Sequence, residues 1–403
     1  MASDTTNSPS ALLLLPPPPA FSFAQVKNAF EPSLVDVYAK LSKALNGSNR
    51  TAVLDVALAI PDLLSPSCRP RARVFAQLQH YLTSVYTLIG AVCATQNIEL
   101  DSPGGIDTRV VFIDSSEDAS VIQASGSSRF GPILHLQTLA NSGRSWDRIY
   151  YLTNTSGKEL ANSFTNSVDS QARDTVAANL QAITSNADWT IPSLLNPDNQ
   201  QPSTPHYSVV VGGTFDHLHV GHKLLLTAVA LVMEPLDQGQ EGRLTIGVTG
   251  DALLVNKKYA EFLESWEERW QNTAAFLTAI MDFSPRREPP QIERAFAPGP
   301  NGKTVLVRIQ PNLAFEFVEI SDPFGPTITE ENLGAIVVSK ETHSGGAAVN
   351  DERVKKGWKS LAVFEVDVLQ SGEVGATTTD VESFESKISS TDIRRRRLHL
   401  AKV

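Results

Sequence analysis

A glycine-rich junction between an apolar strand and a helix constrains the fold of this sequence most strongly. The apolar run Tyr207–Val211 leads into GGTFDHLHVGH (residues 212–222), and a helical pattern of apolar residues follows. Glycines allow a ligand to approach the backbone, and the first turn of a helix offers free N–H groups and a positive dipole end to anions. His219 and His222 share one face of that turn because they are three residues apart. The junction therefore predicts a phosphate site at which two imidazoles and several amides converge.

A second polar segment lies near the C-terminus, where ISSTDIR occupies residues 388–394. Serine and threonine at a helix start cap free amides or offer hydroxyls to phosphate, and Arg394 adds a fixed positive charge that suits phosphate oxygens. Taken alone, the segment is typical of an ordinary helix N-cap followed by a solvated basic run, residues 394–397. In a chain that also carries the glycine-rich junction, we interpret it as a second phosphate-binding segment.

Both segments resemble motifs of the HxGH nucleotidyltransferase superfamily. The first resembles GTFDxxHxGH, and the second resembles the ISSTxIR motif with which the superfamily holds the nucleotide triphosphate. Residues 337–350 (VVSKETHSGGAAVN), the upstream DPFGP at 322–326 and the doubled glycine before Thr214 resemble the eukaryotic and archaeal form of phosphopantetheine adenylyltransferase. The resemblance covers about residues 207–398 and extends to the adenylyltransferase domain of coenzyme A synthase.

The resemblance implies a reaction and its reactants. The chain is expected to transfer AMP from ATP to 4'-phosphopantetheine, giving dephospho-coenzyme A and pyrophosphate, with Mg²⁺ as the cofactor that accompanies ATP. Because a phosphate nucleophile is already ionised near neutral pH, we expect no general base, and we expect no protein ligand to a metal. No GxxxxGK[ST] loop occurs and the chain ends soon after the ISST helix, so we expect the dephospho-coenzyme A kinase step to be absent. Association with other coenzyme A biosynthetic enzymes is a further expectation.

The resemblance also implies a role for each residue that matches a motif. His219 and His222 are expected to contact the nucleotide phosphates, with His222 stabilising charge at the α-phosphoryl group. Thr214 and Lys257 are expected to hold the phosphate of phosphopantetheine, and the neighbouring Lys258 is an alternative to Lys257. The predicted catalytic residues are His219, His222 and Lys257; the predicted nucleotide-binding residues are Gly213, Phe215, Gly221, His222, Ser389, Ser390, Thr391 and Arg394; the predicted substrate-binding residues are Thr214, Lys257 and Lys340.

One departure from the family pattern leaves a role unassigned. Bacterial members carry an arginine-containing RGLR segment after the fourth strand, and residues 340–346 of this chain contain no arginine. Lys340, Asn350 and Arg353 are the candidates for that phosphate-binding role. Asp216 is expected to brace the loop rather than to act in catalysis.

Two other functions stay open at the level of sequence. A cytidylyltransferase of phospholipid-precursor synthesis shares GTFDxxHxGH, but such enzymes resemble one another in RTEGISTSxII. This chain lacks the RTEG part and has Arg394 in place of an isoleucine. A non-catalytic nucleotide-binding scaffold would have a degenerate site, whereas both histidines and the ISST run are intact here. We therefore favour the adenylyltransferase.

A length of 403 residues predicts two domains. Residues 1–22 are rich in Ser, Thr, Leu and Pro and are expected to form a disordered tail, and residues 23–190 alternate helical and strand-like patterns, which indicates a separate α/β domain. Residues 191–206 have the composition of a Pro-rich linker. Residues 207–403 show the βαβ rhythm of a doubly wound parallel sheet, the Rossmann-like nucleotidyltransferase fold, with ligand sites beyond the carboxyl ends of the strands.

The bounds of the predicted elements follow from the periodicity of apolar residues. No Gly-rich phosphate loop follows any predicted strand of the N-terminal domain, so no chemistry is assigned to it. Helices are expected at residues 23–45, 71–94, 162–184, 219–233 and 266–283, and strands at 51–60, 108–113, 148–152, 207–211, 244–248, 305–309, 315–320, 335–339 and 362–368.

Composition narrows the partners and the compartment. The formal net charge of −10 argues against nonspecific binding of nucleic acid or anionic lipid, so a polyphosphate site must be a local basic patch. No apolar run approaches the roughly 18 residues that a membrane-spanning helix needs. Cys68 and Cys93 are the two cysteines, and we expect free, buried thiols in a reducing compartment, the cytoplasm. The expected partners are thus ATP and 4'-phosphopantetheine, with neither nucleic acid nor membrane.

Overall fold

The computed structural model describes residues 8–100, 103–116, 129–198, 204–236, 239–285, 288–369, 384 and 389–400. Within these ranges the chain folds into two α/β regions, and each region is built around its own sheet. The predicted fold class is confirmed, since a Rossmann-type C-terminal region follows a separate α/β region. No helix in the described part of the chain combines the length and apolar character that crossing a membrane requires.

The N-terminal sheet is wholly parallel. Its strands are β1 (Ser10–Leu15), β2 (Ala52–Ala59), β3 (Ile106–Asp114), β4 (Ile133–His135), β5 (Arg148–Leu152) and β6 (Leu180–Ile183). Its helices are α1 (Phe23–Leu45), α2 (Ala72–Thr95), α3 (Leu136–Ala140), α4 (Thr155–Ser167) and α5 (Arg173–Asn179). The strand order is β4-β3-β2-β1-β5-β6, so the winding reverses between β1 and β5.

Strand β1 corrects the prediction that residues 1–22 form a disordered tail. Residues 1–7 lie outside the described part, but β1 sits inside the sheet, paired with β2 on one side and with β5 on the other. Ala11 to Leu15 are fully buried. A parallel strand covered on both faces is a continuous apolar run without alternation. The prolines that come next, Pro16 to Pro19, therefore end a core strand instead of breaking a random tail.

The polar helix expected at residues 162–184 is also wrong. This stretch contains the end of α4, the separate helix α5 and the edge strand β6. An edge strand of four residues is too short for its period to be distinguished from the end of a helix. Elsewhere the pattern is sufficient, because the helix at 23–45 and the strands at 148–152 and 335–339 are confirmed to the residue.

The C-terminal sheet has seven strands with the order β13-β12-β7-β8-β11-β10-β9. Its strands are β7 (Ser208–Gly213), β8 (Gly242–Thr249), β9 (Gln291–Phe296), β10 (Lys303–Gln310), β11 (Leu313–Ile320), β12 (Ala335–Ser339) and β13 (Ala362–Val366). Its helices are α6 (Val220–Val232), α7 (Trp266–Met281), α8 (His343–Lys355) and α9 (Ser390–Leu400). The five strands from β13 to β11 run parallel, whereas β10 is antiparallel to both of its neighbours. Only two residues join β10 to β11, which is too few for a parallel crossover.

The winding of the C-terminal sheet reverses at β7, which pairs with β8 on one side and with β12 on the other. Open α/β sheets bind ligands in the crevice beyond the carboxyl ends of the strands at such a reversal. The glycine-rich junction begins at the carboxyl end of β7. The topology therefore places the first motif at the expected ligand crevice.

The two regions pack against each other through one continuous hydrophobic core, in which α2 contacts α6. Polar contacts add to this interface. The Arg71 guanidinium donates to the Met233 carbonyl at 2.6 Å, and the Arg71 N–H donates to the Glu234 carboxylate. Lys223 in α6 lies 2.6 Å from Asp107 in β3. Burial opposes ionisation of Asp107, but the charges of Lys223 and Arg109 outweigh it and lower the pKa of Asp107 to about 2.

The predicted linker at residues 191–206 lies partly outside the described residues, which omit 199–203. In its described part, Asn196 exchanges two hydrogen bonds with the Gln77 side chain of α2, at 2.5 and 3.0 Å. The Asp198 N–H donates to the Arg73 carbonyl at 2.9 Å. This part of the linker is therefore fastened along α2.

Candidate active site

The loop that connects β7 to α6 turns sharply at two residues. Phe215 and His217 have φ angles of 52° and 47°, in the left-handed region that residues other than glycine seldom adopt. Gly213 makes room for the turn, because a Cβ atom there would lie 2.9 Å from the Phe215 ring. The Phe215 side chain is fully buried. The loop ends at His219, which is the N-cap residue of α6.

His219 and His222 form a stacked pair at the start of α6. Their ring centroids are 3.9 Å apart and their planes differ by 21°. The Gly221 N–H donates to Nδ1 of His219 at 3.2 Å, which assigns the proton of the neutral ring to Nε2. Nδ1 of His222 is buried and has no hydrogen-bond partner among the described residues. A buried polar atom without a protein partner indicates a contact that a ligand would complete.

Burial keeps both imidazoles neutral near pH 7. It lowers the pKa of His219 well below the ordinary value of 6.5, and the neighbouring His222 and His217 rings lower it further. Burial also lowers the pKa of His222 to about 4, although a hydrogen bond to the His217 backbone opposes the shift. Among the described residues, the neutral His219 ring has a free Nε2–H, whereas the N–H of the neutral His222 ring is engaged by the His217 backbone and leaves Nδ1 as a bare acceptor.

Asp216 fastens the C-terminal motif to this loop. Its carboxylate pairs with the buried Arg394 guanidinium, and its backbone carbonyl accepts a hydrogen bond from the Ser390 hydroxyl at 2.8 Å. Arg394 also donates to the Lys258 carbonyl at 3.0 Å and to the Thr391 hydroxyl at 3.2 Å. Asp216 therefore braces the loop, as expected. Arg394 belongs to the same brace, since most of its donors are engaged by the protein itself.

Arg269 is a structural residue of the site that no sequence motif marks. Its guanidinium, fully buried in α7, donates to the Thr214 carbonyl at 2.7 Å and to the Glu264 carbonyl at 2.9 Å, and it pairs with Asp251 at 2.6 Å. It thus joins the loops after β7 and β8 to the start of α7. Its position in the sequence could have indicated this role. An arginine that lies between two tryptophans on the apolar face of a helix is expected to need buried hydrogen-bond partners.

His217 and Glu264 form a third brace. The His217 N–H donates to the Glu264 carboxylate at 2.8 Å, and Nε2 of His217 lies 2.8 Å from the Phe262 carbonyl. Burial lowers the pKa of the His217 ring, but the Glu264 carboxylate beside Nδ1 of the ring and the charge of Asp216 outweigh it, and the net shift of the pKa is upward. Asp216, His217 and Glu264 are also close enough to share a metal ion. We interpret them as a brace because the Arg394 guanidinium already neutralises the Asp216 carboxylate.

The two sequence motifs line a single cavity of about 250 Å³, here termed the polar cavity. Of the nine residues around it, three come from the glycine-rich junction and four come from ISSTDIR. The predicted site residues that do not line it are Gly213, Phe215, His219, Gly221 and Lys340. The Phe215 and His219 rings pack against the His222 ring. The lining residues are Thr214, Asp216, His222, Lys257, Leu263, Ser389, Ser390, Thr391 and Arg394.

A second cavity of about 460 Å³, here termed the apolar cavity, adjoins the first at Thr214, which lines both. It lies at the carboxyl ends of β7 and β12, where the sheet reverses its winding. Its walls include Gly213, the DPFGP segment and the start of α8. Asp322 holds the DPFGP turn by accepting hydrogen bonds from the Phe324 and Gly325 N–H groups, each at 2.8 Å.

The comparison with known proteins agrees with this assembly of residues. The family described as Cytidylyltransferase-like matches residues 210–396. The phosphopantetheine adenylyltransferase of Pyrobaculum aerophilum is 30% identical over 188 residues, which are 47% of this chain and 90% of that protein. The phosphopantetheine adenylyltransferase of Thermococcus gammatolerans is 32% identical over 191 residues, which are 47% of this chain and 89% of that protein. The chain belongs to the phosphopantetheine adenylyltransferase-like nucleotidyltransferases.

Two relatives from yeasts match over a smaller share of their own length. The phosphopantetheine adenylyltransferase of Saccharomyces cerevisiae is 33% identical over 185 residues, 46% of this chain and 47% of that protein. An uncharacterized protein of Schizosaccharomyces pombe is 36% identical over 193 residues, 47% of this chain and 48% of that protein. The chain thus spans about half the length of these two relatives. Residues 1–187 match a family described as a domain of unknown function (DUF8446).

None of the three candidates for the bacterial phosphate-binding arginine of this family is among the residues that line either cavity. Nζ of Lys340 lies 2.5 Å from Asp367, and Lys340 lines neither cavity. Arg353 is fully buried and donates to four backbone carbonyls. Asn350 exchanges two hydrogen bonds with the Leu361 backbone. The polar groups of Arg353 and Asn350 are thus engaged by the backbone, and Lys340 is half exposed and paired with Asp367, so its predicted role in binding substrate stays a prediction.

Lys257 and Lys258 are placed differently in this nucleotidyltransferase. Lys257 is exposed and lines the polar cavity. Lys258 does not line it, and its carbonyl accepts the hydrogen bond from Arg394. The geometry therefore favours Lys257 as the lysine that meets a ligand, as the sequence predicts. The catalytic and binding roles of the cavity residues stay predictions.

Proposed function

We propose that the chain is a pantetheine-phosphate adenylyltransferase, which transfers AMP from ATP to 4'-phosphopantetheine. The observation that carries the proposal is the meeting of the polar and apolar cavities at Thr214. The polar cavity suits the ATP phosphates, and the apolar cavity suits the pantetheine arm, since ligand sites combine apolar walls with a few polar groups. The names of the archaeal and yeast relatives support the same reaction.

The proposed chemistry is a direct displacement at phosphorus. An oxygen of the acceptor phosphate bonds to the α-phosphorus of ATP while the bond from that phosphorus to the pyrophosphate oxygen breaks. The nucleophile is already anionic, so no protein base has to take a proton. Thr214, at the junction of the cavities, and Lys257 would hold the acceptor phosphate in line with the leaving pyrophosphate. Catalysis then consists of positioning and charge stabilisation.

His222 has the central role in this proposal because its ring lines the polar cavity and its Nδ1 lacks a partner in the described part of the protein. The N–H of the neutral ring is engaged by the His217 backbone, so the ring would take up a proton and donate from Nδ1 to an α-phosphoryl oxygen. Bound triphosphate would raise its pKa, and the hydrogen bond would strengthen as charge accumulates in the transition state. His219 would hold the ring in place through the 3.9 Å stack. Ser389, Ser390 and Thr391 would contact the β- and γ-phosphates at the start of α9.

Mg²⁺ fits this arrangement as a companion of the triphosphate. The lining of the polar cavity offers hydroxyl, imidazole and ammonium groups, and its carboxylate, Asp216, is already paired with Arg394. The ion would therefore be held chiefly by phosphate oxygens, with the hydroxyls of Ser389, Ser390 and Thr391 as its nearest protein oxygens. When bound, it neutralises charge on the triphosphate.

The test is to incubate the purified full-length protein with ATP, Mg²⁺ and 4'-phosphopantetheine and to measure dephospho-coenzyme A by mass and pyrophosphate by a coupled assay. We expect both products in equal amounts. A parallel reaction contains CTP and phosphocholine in place of ATP and 4'-phosphopantetheine. Faster turnover with CTP and phosphocholine would replace the proposal by a cytidylyltransferase. Binding of MgATP without turnover of any acceptor would indicate a scaffold.

A further inference from the structure

The chain beyond β13 is fastened to helix α2 of the N-terminal region, and the first point of attachment is Asp367. Oδ2 of Asp367 accepts a hydrogen bond from Nε2 of Gln79 at 3.1 Å and lies 3.2 Å from Nδ1 of His80. In return, the Asp367 N–H donates to Oε1 of Gln79 at 3.0 Å. Both partners are residues of α2, so the chain contacts this helix directly after β13.

The second point of attachment is Phe384, which is fully buried. Its ring lies against Gly90 of α2, and a Cβ atom at Gly90 would come within 2.7 Å of the ring. Gly90 comes eleven residues after Gln79, which corresponds to about 16 Å along a helix. The missing side chain at Gly90 thus provides the space that the aromatic ring occupies.

The third point of attachment lies in α9 itself. Nη1 of Arg396 donates to the carboxylate of Glu99 at 2.6 Å, just beyond the end of α2. Arg396 is in the same helix as Ser390, Thr391 and Arg394, which line the polar cavity. The N-terminal region therefore contacts the helix that carries one wall of that cavity.

We propose that α2 supports the nucleotide-phosphate wall of the polar cavity, so that tight binding of ATP by the C-terminal region depends on the N-terminal region. Gly90, Phe384, Glu99 and Arg396 are then positioning residues, because they touch α9 or its approach but not the cavity. The inference rests on the proposed function in one respect, namely that Ser389 to Thr391 bind nucleotide phosphates. It gives the N-terminal region a task that its own sheet does not suggest.

The first test is Gly90→Leu in the full-length protein, which pushes the Phe384 ring from its place. We expect the KM for ATP to rise about tenfold, with a smaller change in kcat and none in the KM for the acceptor. Ala76→Leu is the matched control, because Ala76 lies on the exposed side of α2. If Gly90→Leu does not fold, Phe384→Ala removes the same contact without enlarging the helix. An unchanged KM for ATP in a folded variant of either kind would overturn the proposal.

The second test compares two neighbouring arginines of α9. Arg396→Gln breaks the contact with Glu99, and the KM for ATP is expected to rise about threefold because the pair is partly exposed. Arg395→Gln is the control, since Arg395 is half exposed and pairs with Asp392 inside α9. Equal KM values in the two variants would remove Arg396 from the set of positioning residues.

A measurement without substrate separates this proposal from the proposed function. Hydrogen exchange of the amides of residues 389–400 in the ligand-free protein should become faster in Gly90→Leu and Phe384→Ala but not in Ala76→Leu. Faster exchange together with an inactive parent protein would retain the attachment and reject adenylyl transfer. An active parent whose variants show unchanged exchange and unchanged KM would retain adenylyl transfer and reject the attachment.

Discussion

Strands β1 and β7 each lie where their sheet reverses its winding, but the residues at and after their carboxyl ends differ in type and conformation. After β1 the chain continues as four prolines, of which Pro16 to Pro18 are buried, and the Trp189 indole donates to the Pro17 carbonyl at 2.9 Å. The helix after β5 is capped internally, because the Asp188 carboxylate accepts from the Thr155 N–H at 2.7 Å. Strand β7 itself ends in Gly212 and Gly213, and the chain then turns sharply at Phe215 and His217 before α6 begins.

The comparison shows that topology alone does not make a ligand site. Both sheets reverse their winding, but in the N-terminal region buried prolines follow β1 and the Asp188 carboxylate caps the helix that follows β5. In the C-terminal region, small residues and a left-handed turn leave the crevice open, and the His222 imidazole lines it. The residues directly after the strand decide between the two outcomes, because they either fill the crevice or retreat from it.

The largest effect on stability is expected at Arg269, which holds together the loops beside the C-terminal crevice. Arg269→Met removes the donors to the buried carbonyls of Thr214 and Glu264, and we expect the free energy of unfolding to fall by on the order of 4 kcal/mol. kcat/KM should fall as well, because the Thr214 loop loses its support. Denaturant unfolding and steady-state kinetics measure both effects.

The control is Arg294→Met, since Arg294 is an exposed arginine paired with Glu267 near the same helix. We expect a much smaller loss for this exposed pair, because solvent screens its charges. Equal losses in the two variants would contradict the role of Arg269 as a frame.

The next effect tests whether the histidines act only where the crevice is open. His222→Asn removes the proposed donor to the α-phosphoryl group, and kcat should fall about 100- to 1,000-fold. His135 is the counterpart in the N-terminal region, because it ends β4 and its Nδ1 caps α3 by accepting from the Gln137 N–H at 3.2 Å. His135→Asn keeps a capping side chain and should leave kcat unchanged. A comparable loss in both variants would show that stability, not chemistry, is being measured.

A smaller effect should distinguish the regions by the pH at which they lose stability. His222 has a pKa of about 4 in the folded protein against an ordinary value of 6.5. Between these two pH values His222 is protonated in the unfolded chain but not in the folded chain. The free energy of unfolding should therefore decline as pH falls from 6.5 towards 4, by on the order of 3 kcal/mol. For Asp107 the pKa is lowered from 3.8 to about 2, so its contribution is complete above pH 3.8 and is lost as pH falls through 2.

Unfolding free energies measured between pH 7 and pH 4 would test this difference, with His222→Asn as the comparison. The substitution should flatten the curve in this window, since the group that resists protonation is gone. An identical slope in the parent and in His222→Asn would assign the acid sensitivity to other groups.

The smallest effect concerns the filled crevice. Trp189→Phe removes the hydrogen bond to the Pro17 carbonyl while it keeps an aromatic ring beside Phe30. We expect a loss of about 1 kcal/mol in the free energy of unfolding and no change in kcat or in either KM. A change in the KM for either substrate would mean that the contact between Trp189 and Pro17 affects substrate binding in the C-terminal region.

The amino-acid sequence by itself determined the motifs, the fold class and most element bounds. The spacing of apolar residues follows the spacing of buried positions, so the bounds of α1, β5 and β12 could be predicted to the residue. The same signal fails for β1 and β6. A strand buried on both faces has no alternation, and a short edge strand has too few residues to show any.

Only the tertiary structure decided which polar groups are available to a ligand. Arg353, Asn350 and Lys340 have the chemistry of phosphate ligands, but chain segments outside the motifs satisfy them. Arg394 stands in a motif and is nevertheless held mainly by Asp216. Hydrogen-bond partners come from segments far apart in sequence, and no local pattern records them. For the same physical reason, the contacts of α2 with the chain after β13 became visible only once both regions were folded together.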